Sequence, residues 1–268
     1  KEPFPGNCVE FSKDGSLRLP LNKKYSLFAG TFSFWVRFNR DFVFDPNPES
    51  IWRLGNSSLL GKFIHGRVCF GEFGCQMGVF EQMYKGEWNQ LTFTWDNGKY
   101  RKMYLNGRLF YLVPWVGGTE SFDSISFGRG EGMPSFQGAV ARVRLYRNEL
   151  SAAEIRQEYA AVRPVTPFML DYSAIAGTET AFRVGFDNPT GKEQADKRSV
   201  TVCAPDGTEV FRQELSVTVP PKSYAIKSFS FTPKTVGDYR VIMKGENADT
   251  FTAVLPVIHN NVLSRRTA

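Results

Sequence analysis

Apolar and polar residues alternate with a period of two along most of the chain, in short runs broken by Gly, Pro, Asn and Asp. That pattern belongs to strands with one buried face. Residues 31–38 read TFSFWVRF, and the period sets Phe32, Phe34, Val36 and Phe38 on one face against Ser33, Trp35 and Arg37 on the other. Runs at 91–95 and 102–105 follow, joined by Asp96-Asn97-Gly98-Lys99, whose Asn-Gly favours a tight hairpin turn. Asn106-Gly107 turns the chain again into 109–113, and 125–127 and 140–146 supply two further strands. One stretch carries helical spacing: Ser151-Ala152-Ala153-Glu154 is a capping box, with Ile155, Tyr159 and Val162 on one face behind it. This helix is expected to end before Pro164.

Arg163-Pro164-Val165-Thr166-Pro167 cannot continue a helix and makes a short stiff connector. The domain boundary is placed there: a first domain at 1–163, a linker at 164–167, a second domain at 168–258 and a polar tail at 259–268. In the second half the alternation resumes at 181–186, 199–204, 208–219, 223–231, 239–244 and 250–257, with Pro205-Asp206-Gly207 as a hairpin turn. Turn signals at about every 8–12 residues predict an immunoglobulin-like sandwich, here without a Cys-Trp-Cys pattern.

Composition narrows the function classes. Aromatic residues make up 15% of the chain, with 24 Phe, which fits a protein with large cores. The net charge of +6 is scattered as Lys23-Lys24, Arg101-Lys102 and Arg265-Arg266 rather than gathered into a phosphate-tracking run, so nucleic acid is not an expected partner. No apolar run is long enough to span a bilayer. The chain begins at Lys1 without a basic-then-apolar leader, and the expectation is a mature or trimmed chain whose targeting signal has been removed; its compartment, expected to be the periplasm, cell surface or medium, has to be read from other features. Two readings of Cys69 and Cys75 stand open, a hairpin disulfide in an oxidising compartment or two thiols; Cys8 and Cys203 have no obvious mates. With no CxxC and only His65 and His259, zinc is not expected.

Three stretches resemble the laminin-G-like, or concanavalin A-like, jelly roll of lectins and glucanases. They are Val9 to Pro20 with Gly30 to Phe38; Gly86 to Asp96 with Met103-Tyr104-Leu105-Asn106-Gly107; and Phe136-Gln137-Gly138 through Tyr146 with Leu150-Ser151-Ala152-Ala153-Glu154-Ile155. The resemblance covers residues 6–162 and implies an all-β fold: a concanavalin A-like jelly-roll sandwich followed by a second, immunoglobulin-like β-sandwich. It departs at Ala141 and Arg142, where the family carries paired acids, so any role of those acids is absent. The second half is similar, at the level of fold, to immunoglobulin-like modules of bacterial surface and polysaccharide-handling proteins.

Glucanases of this superfamily alternate acids along a strand, but no two acidic residues here stand at i and i+2. Asp41/Asp45 and Asp45/Glu49 would lie about 13 Å apart if extended, too far for either glycosidase geometry. His65 follows Ile64 at a strand end and His259 lies in the tail, which leaves no credible His-based nucleophilic site. Gly128-Arg129-Gly130-Glu131-Gly132 leads into Met133-Pro134 and a strand, so it is a loop rather than a phosphate cradle. The enzyme class is therefore not expected.

Binding remains. Sugar rings offer apolar C–H faces that stack on aromatic side chains. Trp115, with Tyr111 nearby, sits where a strand becomes a loop, and Trp52 follows a polar loop; both are stacking candidates, the alternative being satellite core. Trp88 is assigned to the core, and Trp35 and Trp95 to the face opposite the Phe set. Trp35 with Arg37 points to a concave saccharide groove or to a contact with another domain, and Arg129 could clamp an acidic sugar. No cofactor is required; calcium is a family option through Asp45, Asp96 or Asp123. The expectation is a non-catalytic, carbohydrate-binding accessory segment of an exported bacterial protein, with a polysaccharide or glycan as partner. Its alternatives are a structural or protein-interaction module packing on an adjoining domain or surface protein, and a glycoside hydrolase.

Overall fold

The computed structural model describes Phe4 and residues 8–40, 48–56, 60–64, 67–70, 83, 85–116, 120–130, 132–246 and 249–259. It divides into two compact units, Phe4–Tyr159 and, from Ala160 on, a second. The first unit holds β1 (Cys8–Phe11), β2 (Ser16–Ser26), β3 (Ala29–Phe38), β4 (Glu49–Leu54), β5 (Leu60–Ile64), β6 (Arg67–Phe70), β7 (Trp88–Asp96), β8 (Tyr100–Leu105), β9 (Arg108–Pro114), β10 (Ser121–Gly128), β11 (Gly138–Tyr146) and the helix α1 (Ala152–Ala160). They build a six-stranded sheet in the order β1-β11-β3-β7-β8-β9 and a five-stranded sheet in the order β2-β10-β4-β5-β6.

The alternation read from the sequence becomes the core of a two-sheet sandwich. Phe32, Phe34, Val36 and Phe38 of β3, Leu91 and Phe93 of β7 and Met103 and Leu105 of β8 meet Trp52 and Leu54 of β4 and Ile125 and Phe127 of β10. Rings dominate the contact: Trp52 lies 4.9 Å from both Phe32 and Phe93 by centroid, and Phe34 meets Phe127 edge-on at 5.4 Å. Each such buried side chain contributes about 1.5–3 kcal/mol, which accounts for the phenylalanine excess. Trp95 corrects an expectation: it lies on this inner face, with its indole directly over Gly30, where a Cβ would overlap the ring. Gly138 is demanded in the same way, because a Cβ there would run into the Arg37 carbonyl of the neighbouring strand.

The helix starts as its capping box requires. Ser151 Oγ accepts the Glu154 N–H at 3.3 Å, and Glu154 Oε2 accepts the Ser151 N–H at 2.7 Å. It stops at Ala160, so Val162 lies in a turn rather than on the helix.

The second unit holds β12 (Thr166–Met169), β13 (Ala174–Ile175), β14 (Thr180–Asn188), β15 (Gln194–Cys203), β16 (Glu209–Val219), β17 (Ser223–Phe231), β18 (Gly237–Lys244) and β19 (Thr250–Ile258). A three-stranded sheet, β12-β14-β17, and a five-stranded sheet, β13-β19-β18-β15-β16, enclose Phe182, Val184, Phe186, Val200, Val202, Tyr239, Val241 and Leu255. β13 pairs parallel to β19; the other described pairings are antiparallel. Among the described residues no helix is long and apolar enough to cross a membrane.

Candidate functional site

β9 is the outermost strand of the six-stranded sheet. The β8–β9 turn takes positive φ at both Asn106 (52°) and Gly107 (76°), the conformation that Asn-Gly favours in a two-residue hairpin. Asn106 also anchors the hairpin, since its Oδ1 accepts the Gln90 N–H at 2.9 Å and its Nδ2 donates to Asn89 Oδ1 at 2.8 Å.

A bulge beside Met103 and Tyr104 leaves Phe110 without a partner in register; beyond it Tyr111 faces Met103 and Val113 faces Arg101. The ladder runs on past the strand end, with the Trp115 N–H donating to the Lys99 carbonyl at 3.1 Å. Tyr111, Val113 and Trp115 therefore recur at every second residue on one face of an edge strand, and Tyr111 and Trp115 stand about 13 Å apart along it.

Tyr111 is 40% exposed, whereas Trp115 is half-buried and packs with Val113 against the core of the sandwich, the satellite-core position that was the alternative for it. The Arg101 guanidinium carbon lies 5.0 Å from the centroid of the Trp115 ring, within cation–π range, and Arg101 itself is buried. Trp115 Nε1 makes no hydrogen bond. Tyr100 and Leu112, on the other side of the hairpin, are exposed as well. Arg101 and Tyr100 were not among the candidates drawn from the sequence. The signal was present, because the alternation of Arg101, Met103 and Leu105 puts an arginine on the apolar face of β8.

The other candidates lie elsewhere. Trp52 is 0% exposed, wedged between Phe32 and Phe93 and so close over Gly61 that a Cβ there would overlap the indole. It is core, and no sugar can stack on it. Trp35 does lie on the outer face of β3, yet it is 2% exposed: Tyr159 of α1 stacks on it in parallel and Phe4 meets it edge-on. Arg37 ion-pairs with Glu10 and lies 5.4 Å from the Trp88 ring centroid.

The open groove expected around Trp35 and Arg37 is therefore absent, because the chain covers this face with its own segment. Thr31 Oγ1 donates to the Asn148 carbonyl and accepts the Leu150 N–H, Lys102 donates to Glu149 at 2.6 Å, and Glu158 receives Arg144 and Tyr146. Burial and the Glu158 carboxylate together push the Tyr146 phenol up from its ordinary pKa.

Arg129 is exposed in the loop after β10, and its nearest charged partner is Asp14 at 3.5 Å. Of the calcium candidates, Asp96 accepts a 2.6 Å hydrogen bond from Lys99, Asp123 is exposed on β10, and Asp45 lies outside the described residues. Among the described residues no group of three His, Cys, Asp or Glu side chains could hold a metal ion. His65 and Cys75 lie outside the described residues, as does the Cys69 side chain; Cys8 and Cys203 are free thiols and His259 is exposed.

Residues 80–156 match the family model described as the concanavalin A-like lectin/glucanases superfamily, and the first unit has the concanavalin A-like jelly-roll fold. No curated protein sequence matches the chain. Among solved structures, one similar chain is domain 4 of AbnA, a GH43 extracellular arabinanase from Geobacillus stearothermophilus, in complex with arabinotriose. It is 17% identical, with 56% of this chain and 75% of that one covered, at a TM-score of 0.43. The ligand-binding domain of botulinum neurotoxin serotype D in complex with N-acetylneuraminic acid is 14% identical over 95% of this chain and 70% of that one, at a TM-score of 0.47. The binding domain of botulinum neurotoxin DC in complex with SialylT is 13% identical over 93% and 84%, at 0.48.

Proposed function

We propose that this chain, whose first unit is a concanavalin A-like jelly roll, is a non-catalytic carbohydrate-binding segment of an exported bacterial protein, and that it holds a saccharide on the Tyr111–Trp115 face of β9. The observation that carries this reading is the row itself. Two aromatic side chains share one face of an edge strand, one of them 40% exposed and the other backed by a buried guanidinium. A spacing of about 13 Å lets two non-adjacent rings of an extended oligosaccharide rest on Tyr111 and Trp115 at once. Exposed aromatics on a folded surface are seldom placed there without a partner. The family description, which joins lectins with glucanases, is consistent with a sugar as the ligand.

Binding without cleavage is favoured by the state of the carboxylates. Glu10, Glu49, Asp96, Glu149 and Glu158 are each engaged by a cationic side chain, and none of them lies on the Tyr111–Trp115 row. The exported setting rests on a resemblance read in the sequence alone, that of the second half, at the level of fold, to immunoglobulin-like modules of bacterial surface and polysaccharide-handling proteins. No cofactor is invoked.

Affinity electrophoresis through gels cast with single soluble polysaccharides tests the proposal. Retardation of the wild-type chain by one polymer, lost in Trp115→Ala, supports it; equal mobility in every polymer sinks it.

A second reading has its own observation. Leu109 and Leu112 are 49% and 47% exposed on the same edge strand, and an apolar edge is what a protein partner could pair with. Under that reading a Leu112→Lys substitution abolishes association with the partner while Trp115→Ala leaves it intact.

A further inference from the structure

The second unit contains a cavity of about 350 Å³ lined by Val162, Pro164, Val165 and Ala195 together with Arg163, Asp196, Lys197, Arg198, Glu246 and Asp249. Its origin lies in the strand lengths. β15 pairs with β16 from Gln194 onward but with β18 only from Ser199 onward, so the first five residues of β15 overhang their neighbour, and the wall of the cavity is that free edge.

The charged groups of the cavity are organised as a chain. Asp249 receives Arg163 at 2.9 Å and also Arg198; Arg198 Nε donates to Asp196 at 2.6 Å. The Arg198 side chain is only 2% exposed, and its Nη1 is buried with no hydrogen-bond partner. Gly245 makes the room for that guanidinium, since a Cβ there would stand 3.3 Å from Nη1.

We propose that this cavity is a binding site for a neutral polyhydroxylated ring, a monosaccharide unit, distinct from the row on β9. The formal charges of the lining cancel, with Arg163, Lys197 and Arg198 against Asp196, Glu246 and Asp249, and a neutral ligand leaves that balance undisturbed. A sugar hydroxyl both donates and accepts. Vicinal hydroxyls can give protons to the carboxylate oxygens of Asp196 and Asp249, which the paired Arg198 holds in place, while their own oxygens take those of Lys197. Val162, Pro164 and Val165 offer the apolar patch that the C–H face of such a ring requires. The volume falls at the lower end of the range of small-molecule sites, which suits one ring rather than a chain.

The test uses the full chain carrying Trp115→Ala, so that the β9 row cannot contribute, and follows the Arg198 side-chain Nε–Hε signal and the backbone amides of 195–198 by NMR. The probes are glucose, galactose, arabinose and myo-inositol, with glucuronate and glucosamine as charged counterparts. At least one neutral probe is expected to move these signals saturably at millimolar concentration. Asp196→Asn and Ala195→Phe, each shown by its melting curve to be fully folded at the assay temperature, are each expected to weaken that binding at least tenfold. The proposal is overturned if no neutral probe moves the signals, if a charged probe binds more tightly than every neutral one, or if binding survives both substitutions. Loss of the β9 function in Trp115→Ala leaves this outcome unaffected, so the two sites fail or stand separately.

Discussion

Tyr159 and Trp35 stack with 5.5 Å between centroids and 11° between planes. This pair closes the outer face of the six-stranded sheet: the tyrosine occupies the indole surface that a ligand ring would otherwise take. Tyr159 is 3% exposed, and its removal leaves both a cavity and an uncovered indole. Tyr159→Ala is expected to destabilise the first unit by about 3 kcal/mol, read by urea denaturation, with a red shift of tryptophan emission before the main transition.

Gly138 pairs with Phe38 across β11 and β3, and a Cβ at 138 would press on the Arg37 backbone carbonyl, which cannot rotate away as a side chain could. Gly138→Ala is expected to cost at least as much as other overpacking substitutions, about 1–3 kcal/mol. Gly86→Ala serves as the control: it meets nothing within 4 Å but has φ of 81°, so its smaller cost reports backbone strain alone. Thermal melts of the two variants measure the difference.

Asp249 and Asp196 both serve Arg198 and yet are predicted to behave differently. Asp249 joins two arginines whose side chains are 7% and 2% exposed, so Asp249→Ala leaves buried charge uncompensated and is expected to cost about 3–5 kcal/mol. Burial pushes the Asp196 carboxyl above its ordinary pKa, against the pull of Arg198. A carboxyl raised in the folded state contributes stability that is full below its unfolded pKa and is lost as pH rises through the folded value. Asp196→Asn is therefore expected to be milder than Asp249→Ala, and its stability relative to wild type should improve from acid to neutral pH. Chemical denaturation across that pH range reads both.

The Glu154 carboxyl works in the opposite sense. Ser151, through its side chain and then its backbone N–H, holds it below its ordinary pKa. Its contribution is present above the unfolded pKa and lost as pH falls through the lowered value. Ser151→Ala is expected to cost about 1 kcal/mol near neutral pH, a difference that shrinks in acid, as measured by circular dichroism melts.

Local pattern carried much of the fold into view. The period of two located β3, β7, β8, β9 and β11, and the capping box located the start of α1, because each of these signals lies within one turn or strand. Trp95 belongs to the inner face because the register sets it beside Gly30, on the side that Leu91 and Phe93 of the same strand occupy. Trp52 follows a polar loop, and only the pairing of β4 with β10 and β5 reveals that it faces the core. The covered state of Trp35 depends on α1 folding back more than a hundred residues later, a contact that no window on the sequence contains. Arg101 and Trp115 were likewise separated by a hairpin whose bulge decides which side chains share a face.

The central claim is that the Tyr111–Trp115 row holds a saccharide, and a glycan array read with fluorescently labelled chain tests it most directly. The account predicts a defined set of oligosaccharides of three or more rings bound by wild type, at least tenfold weaker in Tyr111→Ala and in Trp115→Ala, and unchanged in Arg129→Ala. Signal on no glycan, or a binding profile identical in wild type and in both aromatic variants, would contradict it.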